Sequence, residues 1–300
     1  TTAFYDIFIN GEKDNTLAPK VTLRDETEDL YGDAYLPRKF KIGMTIPQDN
    51  CVDIFSQDLG IVAILGPDGK PRGYNIMAGG GMGSSHGNKE TYPRIADPVC
   101  FVTPDEVLRA VDAVITVQRD YGNRTNRKLA RLKYLMEELG PVWYREEMSR
   151  RMGVELAPPV PIAPEDWGYN DHLGWHEQLQ PGLFYVGIFV ENGRLVDKPG
   201  KPLLTNIRSI IKKFRPQVRF TGQQNIILAN IPASSRAEIT AMLNDAGLST
   251  GNGHLSQLRR HEIACVSLPT CGLALAEAER VMPTLMDRMD CLLYTSDAAD

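Results

Sequence analysis

The sequence predicts an α+β protein, and three observations carry that prediction. Short apolar runs bounded by turn residues recur in both halves of the chain, as strands do. Longer stretches repeat apolar residues at helical spacing. In the second half the order strand–strand–helix–strand–strand–helix fits within 80 residues, which suits helices packed on one face of a small sheet. At 300 residues, 42% apolar and 24% charged, the chain is ordinary globular protein with material for one large core or two smaller ones.

The opening Thr1–Asp33 is mixed and charged, with a turn-like Asn10-Gly11. Lys39–Ile46 alternates loosely and reads as a strand ended by Pro47. Ile61–Leu65 is an apolar run closed by the turn Pro67-Asp68-Gly69, and Gly73–Ala78 is its hairpin partner. Five glycines then fall between positions 79 and 87. Thr103-Pro104-Asp105-Glu106 reads as a helix start, with Thr103 as N-cap and Glu106 closing a capping box. Val107, Val111, Val114, Ile115 and Val117 supply that helix's stripe, and a second helix is expected from Asn126 to about Met152.

Ala157–Pro164 holds four prolines in eight residues and reads as a linker. Beyond it, Leu183–Val190 reads as a strand, and Glu191-Asn192-Gly193 as a hairpin turn into Arg194-Leu195-Val196. Thr205–Lys213 is an expected helix, Val218–Thr221 and Ile226–Ala229 expected strands, and Ser234–Ala246 a helix capped by Ser234. The tail Cys291–Asp300 fits neither rhythm.

Lysine and arginine number 33 against 38 acidic residues, a net charge of −5, which argues against a surface given over to nucleic acid. No apolar run approaches the roughly 18 residues of a membrane helix, and the start is too charged for a signal peptide. Five cysteines make no disulfide framework, so a reducing cytosol or plastid-like compartment is expected and a cysteine pair points to metal or redox chemistry.

Four features carry chemistry. Cys265 and Cys271 form a C-x5-C pair ahead of an expected helix, Leu273–Met289, whose dipole would favour thiolates. Zinc with His261 as third ligand, an iron–sulfur cluster lacking two ligands, and two plain core cysteines are all open readings. Arg38-Lys39-Phe40-Lys41, if extended, puts two ammonium groups about 7 Å apart on one face. That arrangement is a clamp for a small oxyanion or a lysine-protected edge strand. Arg119, Arg124, Arg127, Lys128, Arg131 and Lys133 lie within 15 residues. In a helix, Arg124, Arg127 and Arg131 would share a face able to receive carboxylates or phosphates, or would be a solvated face. An RNA stripe would need interleaved aromatics, which this stretch lacks. The glycine loop breaks the G-x-G-x-x-G spacing and opens no helix, which excludes a dinucleotide loop and leaves close backbone approach to a flat ligand.

Together, these stretches resemble the siroheme sulfite/nitrite reductase family. The resemblance runs from about Tyr31 to Asp290. It rests on Tyr35-Leu36-Pro37-Arg38-Lys39-Phe40-Lys41, Gly79-Gly80-Gly81 with His86-Gly87-Asn88-Lys89, Gln118 through Lys128, Gly222-Gln223-Gln224-Asn225, Ala264–Cys271 and Ala274–Arg280. It implies siroheme-type mixed-sheet domains with a ferredoxin-like half-domain. The implied division is an N-terminal remnant at 1–24, a first siroheme-binding domain at 25–165, the half-domain at 168–247, the start of a second cluster domain at 255–290, and a non-native tail at 291–300.

The resemblance also implies roles. Lys39 and Lys41 would bind sulfite and help deliver protons. Arg38, Arg131 and Gln224 fall at siroheme-contacting positions, and Gly80, Gly81, Asn123, Arg124, Arg127 and Asn225 in the same motifs. Cys265 and Cys271 would be two of four ligands of a 4Fe–4S cluster. The other two belong to a C-x3-C segment that this sequence lacks, so the chain is expected to be an internal fragment, inactive alone. The implied activity is six-electron reduction of sulfite to sulfide in the cytoplasm, with ferredoxin or an NADPH-dependent flavoprotein as donor and no membrane or nucleic acid as partner. Lys41, where nitrite-reducing relatives typically carry asparagine, favours sulfite. Nitrite reduction, or a cofactor-free anion- or RNA-binding module, is the alternative.

Overall fold

The computed structural model describes residues 8–9, 12–13, 29–32, 34–248 and 255–294. The chain divides into two compact units, Thr1–Gly168 and Tyr169–Asp300.

In the first unit, a two-residue pair, β1 (Phe8–Ile9) and β2 (Glu12–Lys13), flanks the Asn10-Gly11 position, which itself lies outside the described residues. The main sheet has the order β3 (Ile42–Thr45), β4 (Leu59–Leu65), β5 (Pro71–Ala78), β6 (Asp97–Val102). β3 runs parallel to β4, and the other pairs are antiparallel. The expected hairpin is β4–β5. Strand alternation sorts their side chains cleanly. Leu59, Ile61, Ile76 and Ala78 face α1 (Val107–Tyr121) and α2 (Leu132–Met152) in one core, while Val62, Ile64 and Met77 join a second core on the other face. Tyr144 of α2 is fully buried, and its hydroxyl donates to the Val114 carbonyl of α1 at 3.3 Å.

Four expectations are corrected here. The strand begins at Ile42, so Lys39 and Lys41 precede it in coil and do not alternate along a ladder. The first helix starts at Val107: Glu106 accepts from the Thr103 amide at 2.9 Å and its hydroxyl at 2.8 Å, so the capping-box residues close a turn ahead of the helix. The second helix starts at Leu132 and is broken at Gly140 (φ 78°, ψ 164°), which precedes Pro141. The proline-rich stretch is no free linker. Val160 and Ile162 pack on the second core, and the Asn75 side chain exchanges hydrogen bonds with the Val160 backbone at 2.7 and 2.9 Å.

The second unit carries an antiparallel sheet ordered β11 (Gln217–Phe220), β12 (Ile226–Pro232), β8 (Leu183–Ile188), β7 (Gly174–Glu177). α3 (Leu203–Phe214) and α4 (Arg236–Asp245) share its core, with Ile207, Ile210, Ile239 and Leu243 against Val186, Ile188, Ile226 and Leu228. The β–β–α–β–β–α order is the expected one with a different first pair. β7 precedes β8, whereas Arg194-Leu195-Val196 forms no strand and the following β9 (Asp197–Lys198) pairs only with β10 (Lys201–Pro202). Ser234 lies in a short 3-10 turn, and α4 begins two residues later without a side-chain cap. After α5 (Gln257–Arg260), α6 spans Met282–Tyr294, continuing past residue 291; residues 295–300 lie outside the described set. No helix among the described residues is long and apolar enough to cross a membrane.

Candidate functional site

Asp58 organises the polar centre of the first unit. It sits at the start of β4 with no exposed surface. Arg131 Nη2 donates to both of its carboxylate oxygens at 2.8 Å, and Nε adds a longer contact at 3.3 Å. The Lys41 amide donates to Oδ2 at 3.0 Å. Lys41 Nζ turns to the Ser56 carbonyl at 2.9 Å. Its ammonium is held below the usual 10.5, first by burial and then by the Arg131 charge; Asp58 pulls the other way, and Lys39 adds to the depression. A lysine so placed releases its proton more readily than a solvated one.

The glycine loop passes directly beneath. The Gly79 and Gly80 amides donate to the carbonyls of Asp58 and Gln57, both at 2.9 Å. A Cβ on Gly80 would lie 2.3 Å from the Phe55 carbonyl oxygen, and one on Gly81 would lie 2.6 Å from Arg131 Nη1. The space a side chain would need at Gly80 and Gly81 is thus taken by backbone oxygens and the Arg131 guanidinium. Fully buried Lys133 fixes the same loop, donating to the carbonyls of Gly81 at 3.1 Å, Gly83 at 2.7 Å and Tyr92.

The expected arginine face does not form. Asn123 Oδ1 accepts from the Thr125 and Asn126 amides at 3.0 and 2.8 Å, a turn that ends helical geometry. Arg124 is consumed by the carbonyls of Ala34, Tyr35 and Arg119 and thereby pins the chain leading to Arg38. Arg127 is exposed in a 3-10 turn, and Arg131 is the N-cap of α2. Lys41, Arg131, Gly80 and Gly81 thus meet around Asp58, Lys39 is exposed beside them, and Arg38 is half-buried.

In the second unit, Gln224 (φ 64°) donates through Nε2 to the Ala264 carbonyl at 3.1 Å, next to Cys265. Asn225 Oδ1 accepts from the Val190 amide at 2.9 Å, leaving its buried Nδ2 without a hydrogen-bond partner. Both line a cavity of about 340 Å³ with Asn192, Arg194, Val266 and Thr270. Cys265 is exposed and Cys271 half-buried. They occupy a loop rather than a helix N-terminus, because α6 begins only at Met282. Among the described residues, Cys265, Cys271 and His261 do not converge as a three-ligand cluster, so zinc gains no support. Cys100 is a core residue whose thiol burial pushes up to about 12.

The donor set fits a polycarboxylate and an iron cluster. The Lys39 and Lys41 ammonium groups of the first unit suit an oxyanion, and in the second unit the orphaned buried N–H of Asn225 suits a carboxylate. A loop thiol pair, one exposed and one half-buried, suits iron. Sequence reasoning missed Asp58, and it placed Lys133 in the basic stretch without its buried, loop-fixing role. The signal available was an acid flanking a buried strand and a lysine within the α2 apolar repeat.

The described chain is thus a mixed sheet backed by two helices in one unit, and in the other a ββαββα arrangement followed by a cysteine-bearing loop. Residues 14–156 match the nitrite and sulphite reductase 4Fe-4S domain, and residues 176–246 match the nitrite/sulfite reductase ferredoxin-like half domain. The chain belongs to the nitrite and sulfite reductase family. It is 44% identical over 300 residues to the sulfite reductase (NADPH) hemoprotein beta-component of Paenibacillus sp. (strain JDR-2), covering 100% of this chain and 51% of that protein. The protein of the same description from Methylorubrum populi is 45% identical over 293 residues, covering 97% of this chain and 46% of the relative. The structure of the Mycobacterium tuberculosis NirA protein is similar at 27% identity with a TM-score of 0.72, covering 88% of this chain and 45% of that one. The chain spans about half the length of the curated relatives it matches.

Proposed function

We propose that this chain forms the anion-binding and cluster-approach half of a sulfite reductase, which reduces sulfite to sulfide with six electrons and releases three waters. The observation that carries the reading is the pairing of Lys41, its proton affinity depressed by burial and Arg131, with Lys39 in a cationic segment of a chain 44% identical to sulfite reductase hemoproteins. Siroheme and a 4Fe–4S cluster, when bound, supply the electron relay. The chain's own residues bind and protonate. Lys39 and Lys41 hold the dianion, and Lys41 hands protons to departing oxygens. Asp58 and Arg131 fix the Lys41 backbone. In the first unit, half-buried Arg38 and exposed Arg127 offer cations to siroheme carboxylates, while Arg131 and Arg124 hold the surrounding chain through Asp58 and backbone carbonyls; in the second unit, Gln224 and Asn225 offer side-chain amides to a carboxylate. Cys265 and Cys271 hold two irons of the cluster.

NADPH, named in those relatives' descriptions, is the electron source, delivered through a flavoprotein partner in the cytoplasm. The same residues read as nitrite reduction only if Lys41 is dispensable for oxyanion choice. The test uses protein from the complete reading frame: visible siroheme bands, then turnover of sulfite and nitrite with reduced methyl viologen. Sulfite turnover exceeding nitrite, reversed by Lys41→Asn, supports the reading. Colourless protein overturns it, and an unchanged ratio in the variant removes Lys41 from substrate choice.

A further inference from the structure

The loop that carries Cys265 and Cys271 has little apolar anchorage: Leu273 is 94% exposed and Leu275 100%. Polar contacts hold its two ends instead, and both converge on the turn Glu191–Arg194. At the far end, Arg194 grips Glu279 bidentately, Nε to Oε1 at 2.5 Å and Nη2 to Oε2 at 2.6 Å. The Glu279 side chain is only 12% exposed, and the guanidinium holds its carboxyl below the usual range. Asn192 Nδ2 donates to the Glu279 carbonyl at 3.3 Å. At the near end, Gly193 (φ 69°) lies so close to Gln224 that a Cβ there would stand 2.9 Å from the Gln224 Cβ, and Gln224 in turn holds the Ala264 carbonyl at 3.1 Å. Between these ends the loop ties itself together, with Cys271 N–H to the Ser267 carbonyl at 2.7 Å and Leu268 N–H to Ala276 at 3.3 Å.

We infer that Arg194 and Glu279 are positioning residues that clasp the cysteine loop to the half-domain and set the geometry in which Cys271 is presented. An isolated surface ion pair contributes little, but a bidentate pair with a mostly buried carboxylate at a loop end is the exception. The inference rests on the reading that these cysteines ligate iron, although the clasp itself is measurable without iron.

The experiment follows iodoacetamide labelling of each cysteine by mass spectrometry in this chain, and cluster release to a chelator in protein from the complete reading frame. Arg194→Met should speed Cys271 labelling about tenfold while leaving exposed Cys265 unchanged, because local opening becomes easier. Arg194→Lys, which keeps charge and loses the fork, should fall between. The exchanged pair Arg194→Glu with Glu279→Arg should restore slow labelling and slow cluster release, an outcome that general destabilisation would not give. Unchanged Cys271 labelling in both Met and Lys variants overturns the clasp. Slow labelling restored by the exchange in protein whose wild type shows no cluster signal keeps the clasp and overturns the ligand reading.

Discussion

Arg131 and Asp58, 73 residues apart, meet through a fork in which Nη2 stands 2.8 Å from each carboxylate oxygen. Asp58 has no exposed surface and the Arg131 side chain is 12% exposed, so each charge depends on the other. Asp58→Asn should therefore cost about 3–5 kcal/mol in urea unfolding, the cost of an uncompensated buried guanidinium. Asp58→Asn combined with Arg131→Met should recover much of that loss, since no buried guanidinium is left unpaired and the new amide oxygen can still accept from the Lys41 N–H. Equal losses in the single and double variants would mean that the pair is not coupled.

The same pair tunes Lys41. Burial lowers its proton affinity most, the Arg131 charge next, and Asp58 opposes both. Acetylation of Lys41 followed against pH should show a midpoint below 10.5. Arg131→Met should raise that midpoint by removing a cation and leaving the Asp58 anion, whereas Asp58→Asn should lower it further. Movement in the opposite directions would show that the ammonium does not sense this pair.

The parts of this fold legible in sequence are those set by local runs, turns and period. β4 and β5 are readable because an apolar run, Ile61–Leu65, is closed by Pro67-Asp68-Gly69 and followed by a hairpin partner, and α1 because its valines recur at helical spacing after 107. β7 was not, because Gly174-Trp175-His176-Glu177 is short and lacks alternation. The basic stretch misled for a specific reason: arginine spacing fits a helix, yet Asn123 closes a side-chain turn that breaks it. For the candidate site, spacing and charge singled out the cysteines and the lysines, and resemblance supplied their roles and Gln224. Asp58 and the Arg194–Glu279 clasp stayed hidden because their partners lie 73 and 85 residues away, and one sequence carries no mark of such pairings.

The glycine loop separates close approach from mere flexibility. Gly80→Ala forces a methyl carbon to within 2.3 Å of one backbone oxygen and 2.6 Å of another, neither at the end of a flexible side chain. The expected cost is about 3 kcal/mol or more, read as a lowered melting temperature. Gly81→Ala meets the Arg131 guanidinium instead, so it should cost less and also disturb the Lys41 titration. Gly83→Ala, with nothing within 4 Å of the new atom, should stay within about 0.5 kcal/mol of wild type. Equal losses at positions 80 and 83 would contradict steric exclusion.

Glu262 provides the pH signature. It is 7% exposed and neither carboxylate oxygen has a hydrogen-bond partner. Burial pushes its carboxyl from 4.5 to about 7; Arg259 draws it down, while Glu191, Asp290 and Asp287 push it further up. The folded state thus holds a proton that the unfolded chain releases above pH 4.5. Below that value there is no buried charge to penalise, and the charge penalty grows as pH rises to about 7 and levels off beyond it. Glu262→Gln mimics the protonated form at every pH. It should leave stability unchanged near pH 4 and raise it at pH 8 by up to about 3 kcal/mol, the equivalent of that shift. Urea unfolding across pH 4–8.5 reads the difference directly: a variant-minus-wild-type gain that climbs between 4.5 and 7 and then levels is the expected result. A gain independent of pH would place the benefit in packing rather than in the buried charge.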